Sequence, residues 1–195
     1  TSNAPSCHVK HPEDRVISIL EDSGFRAHFV ENSFGLFIDY IMGIALVDPG
    51  AQLNRPIYTL NPPYDLELFC WVEERLEEYL SQLDIHHCEK SLPICSPYLG
   101  RQITDETSDQ IFTWFDQIYR ALGLEKVRCL LRMYFADPLA YNYRGWTDLF
   151  VADPENPYCI EIKTTDKLNL NQLVTIPDLV NLAGIPVKVV RLIYS

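Results

Sequence analysis

Gly145-Trp146-Thr147-Asp148-Leu149-Phe150-Val151, a turn at Asp153-Pro154-Glu155-Asn156-Pro157, then Tyr158-Cys159-Ile160-Glu161-Ile162-Lys163 and, nine residues on, Gln172 form the stretch on which the reading of this chain turns. Leu149 to Val151 and Tyr158 to Lys163 are short, apolar and β-prone, and the residues between them are turn formers, so the segment predicts two strands of a hairpin. Side chains alternate along a strand, which sends Glu161 and Lys163 to one face and leaves Ile160 and Ile162 for the opposite, buried one. A carboxylate and an ammonium then stand side by side. The plain alternative is an exposed strand pair, as E-x-K triplets commonly form.

With Asp148 at the matching end of the neighbouring strand, two carboxylates converge with one lysine. Such a set suits a hard divalent cation, Mg2+ or Mn2+, which prefers oxygen ligands; the backbone carbonyl of Ile162 is counted with them. A cation there would polarise a phosphodiester and lower the pKa of a bound water, while Lys163 would steady the attacking water or the charge growing on phosphorus. The chemistry implied is phosphodiester hydrolysis.

Asp148, twelve intervening residues, then Glu-x-Lys on a hairpin followed by a helix carrying Gln172, resembles the PD-(D/E)XK nuclease superfamily and, more narrowly, a VRR-NUC domain. The counterparts of that pattern are Gly145, Asp148, Leu149, Glu161, Ile162, Lys163, Leu168, Gln172, Gly184 and the strand Val187 to Ile193. Thr147 stands where the family has proline, and Thr164-Thr165 where it has Gly-Pro. Neither removes a metal ligand, but the second alters the loop that would approach DNA. Further upstream, Val30-Glu31-Asn32-Ser33-Phe34-Gly35-Leu36-Phe37-Ile38-Asp39-Tyr40 with Asp48-Pro49-Gly50 looks like the start of the nuclease domain in the Fanconi-anaemia-associated nuclease family. That resemblance implies Glu31 as a third metal-site carboxylate, Gln172 as a residue positioning Lys163 or the water, and a role on flap, splayed-arm or branched DNA in crosslink repair.

The fold expected is α/β: a restriction-endonuclease-like β-β-α-β core with a mixed sheet and a helix-rich N-terminal part, in one domain over residues 5–195. At 195 residues and 47% hydrophobic content the chain supports a substantial core. Thr-Ser-Asn-Ala at the start looks like an expression scar, which makes a C-terminal piece of a longer protein, with other domains or repair proteins as partners, part of the expectation. The longest apolar run, Phe34 to Val47, is broken by Asp39 and falls short of the roughly 20 residues that cross a bilayer. Neither a span nor a leader is visible, so the expected setting is the cytoplasm and nucleoid of a bacterium or the nucleus of a eukaryote. Six irregularly spaced cysteines point to reduced thiols. His86-His87-Cys88 with Cys95 lacks the paired spacings of a structural zinc site.

A net charge of -11 disfavours nucleic acid at first sight, because neutralising phosphate takes Lys and Arg. The distribution is uneven. Residues 120–195 carry nine basic and eight acidic side chains, so the acidity belongs to the first 119. Bound metal would offset up to two of the later acids. A locally basic face with weak DNA affinity is expected, with Arg128 and Arg132, four apart on one helix, Tyr143, Arg144 and Lys167 as candidate contacts.

Pro12 opens a helix to about Asp22 with Gly24 as its stop. Phe25 to Val30 is extended or a loop, and Phe34 to Leu46, apolar nearly all round, is a buried helix. Apolar spacing predicts helices from Asp65 to Leu83, from about Asp105 to Leu122 with Gly123 as the stop, and from Glu125 to Phe135. Glu73, Glu74, Glu77 and Glu78 read as a solvated face. Pro177 predicts a kink or break near Ile176 in the helix of Gln172, because a mid-helix proline removes a hydrogen bond and clashes with the previous turn. Beside the flap nuclease stand two rivals: a homodimeric Holliday-junction resolvase or restriction-like enzyme on the same core, and a non-catalytic interaction module. The intact acid-acid-lysine set argues against the module.

Overall fold

The computed structural model describes residues 11–29, 34, 37–38, 41, 44–45, 48, 66–81, 105–136 and 145–193. Helix α1 (Pro12–Asp22) begins with proline at its first position, where the missing N–H is no loss, and carries Glu13 and Asp14 in its first turn, where the helix dipole favours acids. Strand β1 (Ala27–Phe29) follows, so the extended alternative for this segment holds. Helices α2 (Leu66–Glu74) and α3 (Leu76–Ser81) divide at Arg75 what the apolar spacing presents as one helix. Helix α4 (Asp105–Ala136) is really two: Gly123 takes φ 74 and ψ 169, outside the helical region, at the position where the sequence calls for a stop. Then come β2 (Leu149–Val151), β3 (Tyr158–Lys163), α5 (Leu170–Asn181) and β4 (Val187–Arg191).

The four strands form one mixed sheet in the order β1-β2-β3-β4. β1 and β2 pair antiparallel with His28 opposite Phe150, and the β2-β3 hairpin is antiparallel with Leu149 opposite Ile160. β3 and β4 are parallel, Glu161 beside Val189 and Lys163 beside Arg191, with α5 as the connection that a parallel pair requires. The sheet thus carries the expected β-β-α-β order plus one strand, β1, at its edge.

Both faces of the sheet are covered, which is why β2 is apolar at every position and shows no alternation. Under one face Ile160, Ile162, Leu149, Val151, Tyr158 and Ala27 pack with Val16 of α1. Above the other lies the main core, in which Phe150 and Cys159 meet Phe34, Phe37, Ile38, Ile41 and Ile44, with Leu130, Leu131 and Tyr134 of α4 and Leu179 of α5. Phe34, Phe37, Ile38, Ile41 and Ile44 are helical and essentially fully buried, in accord with the all-round apolarity of their segment. Each such side chain contributes about 1.5–3 kcal/mol by leaving water. Glu161 and Lys163 face this larger core.

Helix α5 is continuous through Pro177, so of the kink or break expected near Ile176 the break does not occur. The lost hydrogen bond is the one to the Leu173 carbonyl, and both Leu173 and Pro177 lie on the exposed side of the helix, where water can take that acceptor's place. No helix among the described residues is long and apolar enough to cross a membrane.

Candidate active site

The site is built where β2 begins, β3 ends and α5 begins. Asn169 caps α5: its side chain accepts from the Gln172 backbone N–H at 2.9 Å, while Gln172 Oε1 accepts from the Asn169 N–H at 3.0 Å. This reciprocal capping box ties down two donors that a helix start would otherwise leave unpaired. It also fixes which way the Gln172 amide points. With Oε1 committed to a backbone donor, Nε2 is turned inward, and it donates to Glu161 Oε1 at 2.6 Å. Gln172 therefore meets the same Glu161 oxygen that Lys163 does.

Glu161 is fully buried. Burying a carboxylate is costly unless charge and hydrogen bonds compensate it. Lys163 Nζ supplies the charge, 2.8 Å from the same Oε1, and its own side chain is only 12% exposed. The exposed-pair alternative for this E-x-K triplet is thereby excluded. On its outer side Lys163 Nζ meets Asp166 Oδ2 at 3.2 Å. Burial pulls the lysine pKa down, but its hydrogen bonds and charge contacts with Glu161 and Asp166 outweigh that and leave it above its ordinary value. The hydrogen bond from Lys163 holds the Asp166 carboxyl below the usual range. Lys163 is thus a permanent cation at neutral pH, bridging an inner and an outer carboxylate.

Asp148 stands just before β2. One step beyond the Leu149–Ile160 pair, the register brings it level with Glu161. Its Oδ2 accepts from the Ile162 N–H at 2.5 Å. Cys159 N–H donates to Pro186 and the Lys163 carbonyl accepts from Leu192, so the odd residues of β3 bond toward β4. Alternation then turns the backbone of Ile162, carbonyl included, toward Asp148.

Gly145 positions this end of the hairpin against α5. Its φ is 90°, and a Cβ would come within 2.7 Å of the Asn171 carbonyl carbon, so only glycine allows both the turn and the close approach to the helix that bears Gln172. Trp146 is buried against Phe34, ring centroids 5.4 Å apart, and Phe34 also meets Phe150 edge-on at 5.7 Å. Thr147 is fully buried, and so is Cys159, whose thiol burial pushes up to about 12 and makes an inert core group.

Asp148, Glu161, Ile162, Lys163 and Gln172 are brought together. Glu31, Tyr143, Arg144 and the His86/His87/Cys88/Cys95 cluster lie outside the described residues. Lys167 is exposed next to the site. Arg128 and Arg132 are already engaged: Arg128 pairs with Glu125 at 2.7 Å and Arg132 with Glu73 of α2. Glu73 is thereby more than a solvated acid. Asp166 was not singled out from the sequence, although an acid three residues after a lysine is a readable signal for such a pair.

No family model matches the chain, and no curated protein sequence matches it. Among solved structures, the crystal structure of paFAN1 bound to 2-nt 5′-flap DNA with a gap is similar in fold, with a TM-score of 0.55 at 18% sequence identity. The similarity covers 100% of this chain and 39% of that one, so the present chain spans well under half the length of that protein.

Proposed function

We propose that this domain is a metal-dependent DNA nuclease with a PD-(D/E)XK core of the VRR-NUC type, hydrolysing phosphodiesters in flap or branched DNA during repair. One observation carries the reading: a fully buried glutamate, held on one oxygen by both a lysine and a capping-box glutamine, at the level of an aspartate on the adjoining strand. A buried charge of this kind is an expensive way to stabilise a sheet, and perturbed, desolvated groups of this sort gather at functional sites. The fold shared with a flap-DNA-bound nuclease supports the same class of substrate.

The donor set fits Mg2+ or Mn2+. Among the described residues no three His, Cys, Asp or Glu side chains cluster, and the oxygens on offer are the carboxylates of Asp148 and Glu161 with the Ile162 carbonyl. Mg2+ favours this economy, taking one or two carboxylates and keeping waters and substrate phosphate for the rest. Glu31 is the proposed third ligand. When bound, the cation would activate water and neutralise phosphate charge. The protein's own part is then definite. Gln172 and Lys163 both sit on Oε1, so Glu161 would offer its other oxygen to the cation. Lys163, kept protonated, would donate to the attacking water or to the phosphorane oxygen, and Asp166 would hold its outer side.

The test is cleavage of 5′-flap, splayed-arm and four-way DNA at low salt with Mg2+ or Mn2+, comparing wild type with Asp148→Asn and Lys163→Met. Loss of cleavage in both variants is expected. Full activity in the lysine variant would overturn the mechanism, and an inert wild type would favour a non-catalytic module.

One observation favours the homodimeric reading of the same chemistry. Leu170, Leu173, Val174 and Val180 of α5 stand 44–82% exposed along one side of the helix, a face that soluble domains usually cover. A dimeric mass in solution that Leu173→Lys reduces to the monomer would support a junction resolvase.

A further inference from the structure

Beside Lys163, one strand over, lies Arg191, the last residue of β4. Partners in a parallel register share a face, so Arg191 stands on the Glu161/Lys163 side of the sheet, about 4.8 Å across in backbone spacing. The partition of the two cores confirms the parity, since Val187 packs on the main core with Cys159, while Val190 and Leu192 pack on the α1 side with Ile160 and Ile162. Arg191 is exposed and has no carboxylate partner among the described residues, unlike Lys163, Arg75, Arg120, Arg128 and Arg132, each of which is paired. Its neighbour Lys188 points to the other face and lies over the Tyr158 ring, 3.5 Å from its centroid. The strand thus turns one cation toward the reaction site and ties the other down elsewhere.

Resting on the nuclease reading above, we propose that Arg191 is a DNA-binding residue that grips a backbone phosphate of the cleaved strand next to the scissile one, setting the strand across Lys163. A guanidinium suits that task, as it can take two phosphate oxygens at once. Contacts of this kind fix register and carry no sequence information.

The experiment measures binding and turnover separately. Fluorescence anisotropy with a 5′-flap DNA, in EDTA so that no cleavage intervenes, is run on wild type, Arg191→Ala, Arg191→Lys and Lys188→Ala across a salt series. Arg191→Ala should bind roughly tenfold more weakly at low salt, as expected for loss of a charge-assisted contact. Its salt slope should be shallower by about one, which makes the wild type lose roughly threefold more affinity than the variant between about 50 and 200 mM. Arg191→Lys should recover part of the loss. Lys188→Ala, which removes the same charge from the same strand, should bind like wild type. In turnover with Mg2+, Arg191→Ala should raise KM and leave kcat within about twofold. Wild-type affinity and slope in Arg191→Ala would overturn the proposal while leaving the nuclease reading intact. Equal losses in Lys188→Ala would also overturn it, by showing a general charge effect. A wild type that binds in the manner described but never cleaves would sustain Arg191 and sink the nuclease.

Discussion

Replacing Lys163 by methionine tests whether the Glu161 pair is a desolvated catalytic device or an incidental contact. The substitution keeps the stem and removes the only described cation beside a fully buried carboxylate. Breaking a buried pair from one side costs about 3–5 kcal/mol. Lys163 reaches the surface and is shared with the exposed Asp166, so a loss discounted below that range for solvent screening, about 2–3 kcal/mol, is expected here. The variant should therefore be less stable, a consequence of burial that the sequence alone does not show. Adding Glu161→Gln removes the stranded charge and should recover at least about 1 kcal/mol, a non-additivity expected only for groups in direct contact. Urea unfolding of wild type, both single variants and the double variant, in EDTA at neutral pH, measures this cycle. Additive losses, or a Lys163→Met variant within about 0.5 kcal/mol of wild type, would refute the claim that the lysine compensates a buried glutamate.

Lys163 has its pKa raised in the fold, so its contribution to stability is fully present below about pH 10.4 and is lost as pH rises through the raised value; the stability gap between wild type and Lys163→Met should be flat from about pH 6 to 9. His28 behaves oppositely: burial beside Trp114 lowers its pKa, so the unfolded chain binds the extra proton first and stability falls as pH drops below about 6.5, a decline that His28→Gln should remove in acid unfolding curves. Gly145→Ala, which combines positive φ with a backbone clash at Asn171, should cost at least about 2 kcal/mol, whereas Gly24→Ala, at φ 85 with open space, should cost only about 1 kcal/mol; equal losses by chemical denaturation would show that the close approach is unimportant. Mg2+ or Mn2+ at about 100 times its Kd should stabilise wild type by about 2.7 kcal/mol over EDTA and leave Asp148→Asn unmoved, which differential scanning calorimetry reads directly.

The hairpin, α1 and the stop at Gly123 were legible because each rests on a local signal: short apolar runs around a proline turn, proline at a helix start, glycine at positive φ. β1 was left open because three residues, Ala27 to Phe29, are too few to show a period, and their strand character comes from pairing with β2. Of the kink or break expected at Pro177 the break does not occur, because a proline rule counts the lost bond without knowing that the orphaned carbonyl lies on the wet side of the helix. Asn169 and Gln172 spell a capping box that could have been read from their spacing, and with it the direction of the Gln172 amide. That the amide ends on Glu161 is a tertiary fact, reached across eleven residues. Likewise Glu125 lies within reach of Arg128 by helical spacing alone, whereas Glu73 meets Arg132 from 59 residues away.

These pairings change the electrostatic case for DNA. Counted by sequence, Arg128 and Arg132 offer two charges on one helix face; in the fold each carries a carboxylate of its own, so each brings the field of a near-neutral pair, and their removal should hardly alter a salt slope. Among the described residues the cations near the site are Lys163, spent largely on Glu161 and Asp166, and the exposed Lys167 and Arg191. On the nuclease reading proposed above, a domain of charge -11 should hold duplex DNA only weakly by general attraction. Its contacts are expected on that reading to be local, aimed at the one or two phosphates around the reacting one. If the proposed nuclease reading holds, the domain alone should show high KM and strong inhibition by salt, while its kcat stays close to that of a longer protein carrying it, since Asp148, Glu161, Lys163 and Gln172 lie on this sheet and helix and the proposed third ligand, Glu31, belongs to the same chain. Steady-state kinetics of the domain alone and joined to further domains of any longer protein that carries it, on one flap substrate, separate the two parameters. A kcat that rises a hundredfold on joining, at unchanged KM, would mean that the catalytic set is incomplete in this chain.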